Sequence, residues 1–225
     1  MDQHPEVYIV DDDPDARHAL TSVVKSMQLT AIECSNAEDF LSKYTEDYPS
    51  CLVTDLRMRG MSGLDLLRHL KAEGRVIPTV IVTGYAETPI AVDAMQAGAV
   101  TFLEKSAPTQ KICDAITHAL KLSYQLLAKK AERARIQQIW KSINAEERQI
   151  LELVSHGKLN KEISFEINVP LRTIEDRRRR LMAKIGATSV VDLIRFAVHL
   201  EELAEEGAAP QMLPVEVRER LNGQH

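Results

Sequence analysis

The 225-residue sequence has no run of about 18 consecutive apolar residues, so no transmembrane helix is expected. Its start, MDQHPEVYIVDDD, is acidic and lacks the basic and apolar blocks of a secretory leader. Cysteine is scarce: Cys34, Cys51 and Cys113 are odd in number and far apart, with no CxxC pair. That excludes a zinc ribbon and a disulfide framework and suits a reducing cytoplasm. The seven histidines are dispersed, with no HExxH spacing. Aromatics are 4% of the chain, and no RNP-like aromatic motif of an RNA-binding sheet occurs. Glycine and proline are absent between Thr109 and Gly157, so nothing in that stretch breaks a helix.

What is present is unevenly charged. Residues 1–120 carry 10 Lys+Arg against 18 Asp+Glu, a net of -8, whereas residues 121–225 carry 18 against 15, a net of +3. The formal total of -5 hides an acidic half and a basic half, which suggests two domains with different partners. The first half alternates short β-branched runs (Val7–Val10, Thr30–Cys34, Cys51–Thr54, Thr79–Thr83, Val100–Glu104) with helical patterns at Asp15–Met27, Ala37–Tyr44, Gly63–Ala72, Pro89–Ala97 and from Gln110 onward. This alternation predicts an α/β doubly wound parallel sheet of five strands. Asn36 is placed to cap the second helix.

Residues Lys111–Ile143 read as one long helix, or as two with a soft break near Trp140–Asn144. Ala119, Leu122, Leu126, Lys129, Arg133, Ile136, Trp140 and Ile143 follow a three–four spacing, but two of the eight are charged. The stripe fits either a solvated linker helix or a short dimerising coiled coil. Trp140, the single tryptophan, is expected at an interdomain or dimer contact. Helical patterns at Ala145–Ser155, Asn160–Ile167, Leu171–Ile185 and Val190–Leu203 predict an all-α four-helix domain with a helix-turn-helix outline around Asn168-Val169-Pro170. The expected division is residues 1–120, a helical linker over 121–143, the helical domain over 144–203 and a flexible tail over 204–225.

Chemistry concentrates at two places. Asp11, Asp12 and Asp13 follow the first strand and Asp55 follows the third; Thr83 and Lys105 stand at the ends of the fourth and fifth. Ligands of doubly wound sheets bind at the carboxyl ends of the strands. Asp11, Asp12 and Asp55 are therefore expected to converge there. Close carboxylates need a hard cation, and a hydroxyl and a lysine beside them make a site for Mg²⁺ (or Mn²⁺) and a phosphoryl group. In the basic half, residues 129–195 hold 15 Lys+Arg against 9 Asp+Glu. Arg177-Arg178-Arg179-Arg180 sweeps more than one face of a predicted helix, which reads as a DNA-facing helix with arginines on phosphates and near base edges.

The segments VYIVDDDP, LVTDLRMRGMSGLDLL, IVTGYA and AMQAGAVTFLEK resemble the receiver domain of two-component response regulators over about Val7–Leu120. By that resemblance Asp55 is the phosphoacceptor for a sensor histidine kinase. Asp12, Asp55 and the backbone carbonyl of Arg57 would ligate Mg²⁺, with Asp11 behind them. Thr83 and Phe102 would be the switch pair, and Lys105 would pair with the phosphate. Such receivers usually have proline where Arg59 and Ser106 stand. The segment INAEERQILELVSHGKLNKEISFEINVPLRTIEDRRRRLMAKIGATSVVDLIRFA resembles the LuxR-type DNA-binding domain, and the two halves together resemble a FixJ/NarL-type response regulator.

That resemblance makes Leu171–Ile185 the recognition helix, with Lys161, Thr173 and Lys184 at phosphates and Arg172, Asp176, Arg177 and Arg180 near base edges. Arg178 completes the DNA-facing set. The family often has His where Arg177 stands and Ser or Thr where Pro170 stands. The implied protein is cytoplasmic, not an enzyme beyond phosphoryl transfer to and from Asp55, and a homodimer once activated. Its partners are the kinase, double-stranded DNA and RNA polymerase. The alternative is a DNA-binding regulator controlled by protein contacts without phosphorylation.

Overall fold

The computed structural model describes residues 4–84 and 88–205, and the chain divides into two compact units between Lys129 and Lys130. In the first unit strands and helices alternate: β1 (Glu6–Val10), α1 (Pro14–Ser26), β2 (Thr30–Cys34), α2 (Ala37–Lys43), β3 (Ser50–Thr54), α3 (Gly63–Ala72), β4 (Thr79–Thr83), α4 (Thr88–Ala97), β5 (Thr101–Glu104) and the start of α5 (Thr109–Ser142). All strand pairs are parallel, in the order β2-β1-β3-β4-β5. The doubly wound five-stranded sheet expected from the alternation is thus present.

Side chains alternate across each strand, so one sequence feeds two cores. Val7, Ile9, Cys51, Val53, Val80 and Val82 pack with Leu20 and Val24 of α1 and Ile112 and Ile116 of α5. On the other face Tyr8, Val10 and Leu52 meet Phe40, Leu66 and Leu70. Tyr8 lies edge-on to both Phe40 and Tyr44, with ring centroids 5.3 and 5.6 Å away. Both faces are covered by helices, which is why the strands read as nearly continuous apolar runs. Short polar residues start the helices: Asp13, Asn36 and Ser62 accept from the backbone N–H of Asp15, Asp39 and Asp65.

The second unit is helical: α6 (Ala145–Ser155), α7 (Asn160–Glu166), α8 (Leu171–Ile185) and α9 (Val190–Glu205) join the C-terminal part of α5. Ile136, Trp140 and Ile143 pack in one core with Ile150, Leu151, Ile163, Ile174, Leu181, Ile185, Leu193 and Leu200. This corrects the expectation for Trp140. Its ring is buried inside this unit, and the Arg148 guanidinium stacks over it at 4.3 Å while donating to the carbonyls of Ile143 and Trp140.

The long helix is continuous to Ser142 and carries no mid-helix break. Its apolar stripe is shared out: Ala119 belongs to the first core, and Ile136, Trp140 and Ile143 to the second. A dimerising coiled coil would have to rest on Leu122 and Leu126 with the charged Lys129 and Arg133, so the solvated-linker reading fits the middle of the helix better. Asn144 and Glu147 close a reciprocal capping box at the start of α6, and Gly186 ends α8 in the left-handed conformation at φ +75°. Among the described residues no helix is long and apolar enough to cross a membrane. Of the tail expected over 204–225, residues from 206 onward lie outside the described residues.

Candidate functional site

Register builds the first site. Val10 and Thr54 are partners across β1 and β3, and the Asp55 N–H donates to the Val10 carbonyl at 2.9 Å. The next residue on each strand, Asp11 and Asp55, therefore stands at the same carboxyl edge. Thr83 pairs with Glu104 across β4 and β5, and the Lys105 N–H donates to the Thr83 carbonyl at 2.9 Å, so Lys105 follows at that edge. Its ammonium reaches both carboxylates, 2.6 Å from Asp11 Oδ2 and 2.8 Å from Asp55 Oδ2.

Asp11 is fully buried and Asp55 is 7% exposed. Burial raises the Asp11 pKa; the Lys105 ammonium and the Asp13 N–H oppose this without cancelling it, and the neighbouring Asp55 charge adds to the rise. Burial works against the Lys105 charge too, but its bonds to the two carboxylates outweigh that and hold its pKa above the ordinary lysine value. One ammonium thus leaves the pocket short of positive charge. Oxygen donors and surplus negative charge suit a hard divalent cation.

Asp12 does not join the other two. Its Oδ2 accepts from both the backbone N–H and Nε of Arg59, each at 3.2 Å. Burial penalises the Asp12 charge, yet the Arg59 contacts more than offset it and lower its pKa. Among the described residues no three Asp, Glu, His or Cys side chains are grouped closely enough to hold a metal ion. The expected convergence is therefore complete for Asp11 and Asp55 and is diverted for Asp12. Arg57 presents its N–H to Asp55 Oδ1 at 3.3 Å. Thr83 is fully buried at the end of β4, and Phe102 is half-buried against the cluster of Leu56, Leu67, Ile81, Ala94 and Ala99.

The second site is α8. Its buried side is Ile174, Leu181 and Ile185. Arg177 and Arg178 lie three and four residues from both Ile174 and Leu181, so they share that side. Arg177 pairs with Glu146 at 2.8 Å, and Arg178 donates to Asn160 Oδ1. Arg179 and Arg180 are exposed, as is Arg172, while Thr173 and Asp176 are half-buried. Asp176 accepts from Arg179 at 2.9 Å. Lys161, on α7, is exposed. Lys184, expected at a phosphate, instead donates to Glu147 Oε2 at 2.6 Å and to the Ser142 carbonyl at 3.0 Å. Arg179 was left out of the expected DNA set. The three–four spacing from Ile174 to Leu181 would have separated it from Arg177 and Arg178.

Residues 7–117 match the family of response regulator receiver domains, and residues 141–197 match the bacterial regulatory proteins of the luxR family. The chain is 35% identical over 205 residues to the response regulator protein TodT of Pseudomonas putida, covering 91% of this chain and 90% of that one. It is 37% identical over 199 residues to the transcriptional regulatory protein FixJ of Rhizobium meliloti, with 85% and 94% covered. The solved structure of the response regulator StyR superposes with a TM-score of 0.81 at 32% identity, covering 87% of this chain and 99% of that one.

The chain belongs to the two-component response regulators. It carries a receiver domain followed by a LuxR-type helix-turn-helix domain, and it is a DNA-binding transcription regulator rather than a conventional enzyme.

One residue of this response regulator's pocket went unnoticed in the sequence. The Gly63 N–H donates to the Leu56 carbonyl, and a Cβ at Gly63 would stand 2.1 Å from the Asp55 carbonyl oxygen and 3.1 Å from Thr54 Oγ1. The obstacle is backbone, which cannot swing aside as a side-chain tip can. Gly63→Ala is expected to cost about 2–3 kcal/mol and to shift the Asp55 loop. Urea unfolding of the variant measures this, and an unchanged midpoint would refute the close approach.

Proposed function

We propose that Asp55 is the phosphoacceptor of this receiver and that its phosphorylation controls dimerisation and DNA binding. The observation that supports this most strongly is Lys105 bridging Asp11 and Asp55 at the carboxyl edge of a parallel sheet. A carboxylate oxygen of Asp55 forms a bond to phosphorus while the P–N bond of a phosphohistidine on a sensor histidine kinase breaks. The bonding electron pair leaves with the imidazole, which takes up a proton. Mg²⁺ (or Mn²⁺), held by Asp12, Asp55 and the Arg57 carbonyl with Asp11 behind them, would offset charge on the transferring phosphoryl oxygens.

Lys105 is then drawn from the two carboxylates toward the new phosphate. Thr83 offers its hydroxyl to a phosphoryl oxygen, and Phe102 turns into the space behind it. Phosphorylation replaces the single charge of the Asp55 carboxylate with roughly two on the phosphoryl oxygens, a net gain of about one negative charge in a pocket already short of positive charge, which gives the switch its driving force. The surface changed is that of Pro89–Gln96, Thr101–Lys105 and Lys111–Leu122, which would pair two copies.

We assign residues 1–120 to the receiver, 121–143 to a helical linker, 144–203 to the DNA-binding domain and 204–225 to a tail. Two α8 helices in a dimer would enter successive major grooves of a roughly palindromic operator. Lys161 and Thr173 would hold phosphates, and Arg172, Asp176, Arg179 and Arg180 would face the groove. Arg177, Arg178 and Lys184 act instead through the pairs that hold α8 in place. The setting is the cytoplasm, with RNA polymerase as a further partner.

Sedimentation and DNA retention with and without beryllium fluoride and Mg²⁺ test the scheme. Dimer formation and tighter DNA binding are expected together with the phosphoryl mimic. DNA binding that is indifferent to it would favour control by protein contacts alone.

A further inference from the structure

Arg59 is 90% exposed as a side chain, yet it is fixed at two points on one carboxylate oxygen of Asp12. The neighbouring Gly60 turns the loop with φ +81°, so Arg59 is presented on the rim of the pocket beside Asp12. On the reading above, that same carboxylate is a metal ligand. A carboxylate oxygen receiving two N–H donors has fewer lone pairs to offer, and a guanidinium near a divalent cation repels it. Asp11 and Asp55 are already tied to Lys105, so Asp12 is the carboxylate of the three that metal entry must free from the loop.

We propose that Arg59 is an internal competitor for the divalent cation: a guanidinium latch that holds Asp12 out of the metal set until Mg²⁺ displaces it. The inference rests on the assignment of Asp12 to the metal site. Its consequence is a receiver that charges its pocket only at higher free Mg²⁺ than the same pocket would need without the latch. The latch is electrostatic. It therefore weakens with ionic strength, because the pair is exposed and the Debye length falls from about 10 Å at 0.1 M salt to about 3 Å at 1 M.

The test is calorimetric titration of the full chain with MgCl₂ at low and at high NaCl. An exposed ion pair amounts to a fewfold change in an equilibrium constant. Arg59→Ala and Arg59→Gln should bind Mg²⁺ about three- to fivefold more tightly than the parent at low salt. Arg59→Lys, which keeps the charge, should stay closer to the parent than either. The gain for Arg59→Ala should shrink toward unity at high salt. Equal or weaker Mg²⁺ binding by the neutral variants would overturn the latch while leaving the pocket assignment intact. A gain that salt does not change would also overturn it, since a loosened loop, not a removed charge, would then be the cause. Absence of Mg²⁺ binding by parent and variants alike would overturn the pocket assignment, and the latch with it.

Discussion

Asp55→Asn is expected to abolish labelling by a phosphodonor and, with it, the phosphodonor-driven gain in DNA affinity. The amide keeps the size of the side chain but replaces the attacking carboxylate oxygen with a poor nucleophile, so the loss should be complete, not graded. The gain removed is a coupling between two sites, typically 5- to 150-fold in affinity. Lys105 would keep Asp11 as its partner at 2.6 Å, and the repulsion that helps raise the Asp11 pKa would disappear. The variant should therefore fold, which urea unfolding would verify before DNA retention is measured. A full phosphodonor response from folded Asp55→Asn protein would sink the switch. A donor that turned over many times without stable label on the parent would point to phosphatase chemistry.

The strands and helices were legible in the sequence because each element obeys one period. The β-branched run Thr79–Thr83 and the patterns Gly63–Ala72, Ala145–Ser155 and Leu171–Ile185 have the same bounds in the structure. The pocket was legible to the extent that strand ends determine it. Asp11, Asp55 and Lys105 come together because neighbouring parallel strands end in register. Asp12 escaped because its partner, Arg59, lies 47 residues away on a loop where no period operates.

Gly63 escaped for a different reason. A missing side chain carries no chemistry of its own, and its value appears only when the Asp55 carbonyl is seen where a Cβ would be. At the other end of the molecule charge alone does not distinguish the arginines from one another. A run of four arginines looks uniform, yet a 100° step per residue sends Arg177 and Arg178 toward the domain's own acids and amides and leaves Arg179 and Arg180 outside. The same holds for Trp140 and Ile136, whose spacing in the long helix suggested a partner helix although their own unit supplies the partners.

Lys184→Met and Arg180→Ala should separate positioning from DNA contact, because the two cations do different work. The Glu147 side chain is only 5% exposed, and its Oε2 accepts from Lys184 Nζ at 2.6 Å and from the Asn144 N–H at 3.0 Å. Burial disfavours its charge, but those bonds prevail and its pKa is lowered. Replacing Lys184 leaves that carboxylate nearly buried without its cation, at a cost of about 2–4 kcal/mol to the second unit. The sign fixes the pH dependence. A carboxylate with a lowered folded pKa contributes stability above its unfolded pKa of about 4.3, and this is lost as pH falls through the folded value. Lys184→Met should remove that acid-sensitive component, and Glu147→Gln should remove it as well. Arg180 is exposed, so Arg180→Ala should change stability by less than about 0.5 kcal/mol. It should nevertheless weaken DNA binding by about 1–3 kcal/mol and relax base preference at the position it faces, with a smaller change in salt slope than loss of a phosphate contact would give. Thermal unfolding and salt-dependent DNA binding of the two variants decide the matter. Should Lys184→Met keep its stability and lose a unit of salt slope, Lys184 is a phosphate contact after all and the Glu147 pair is incidental.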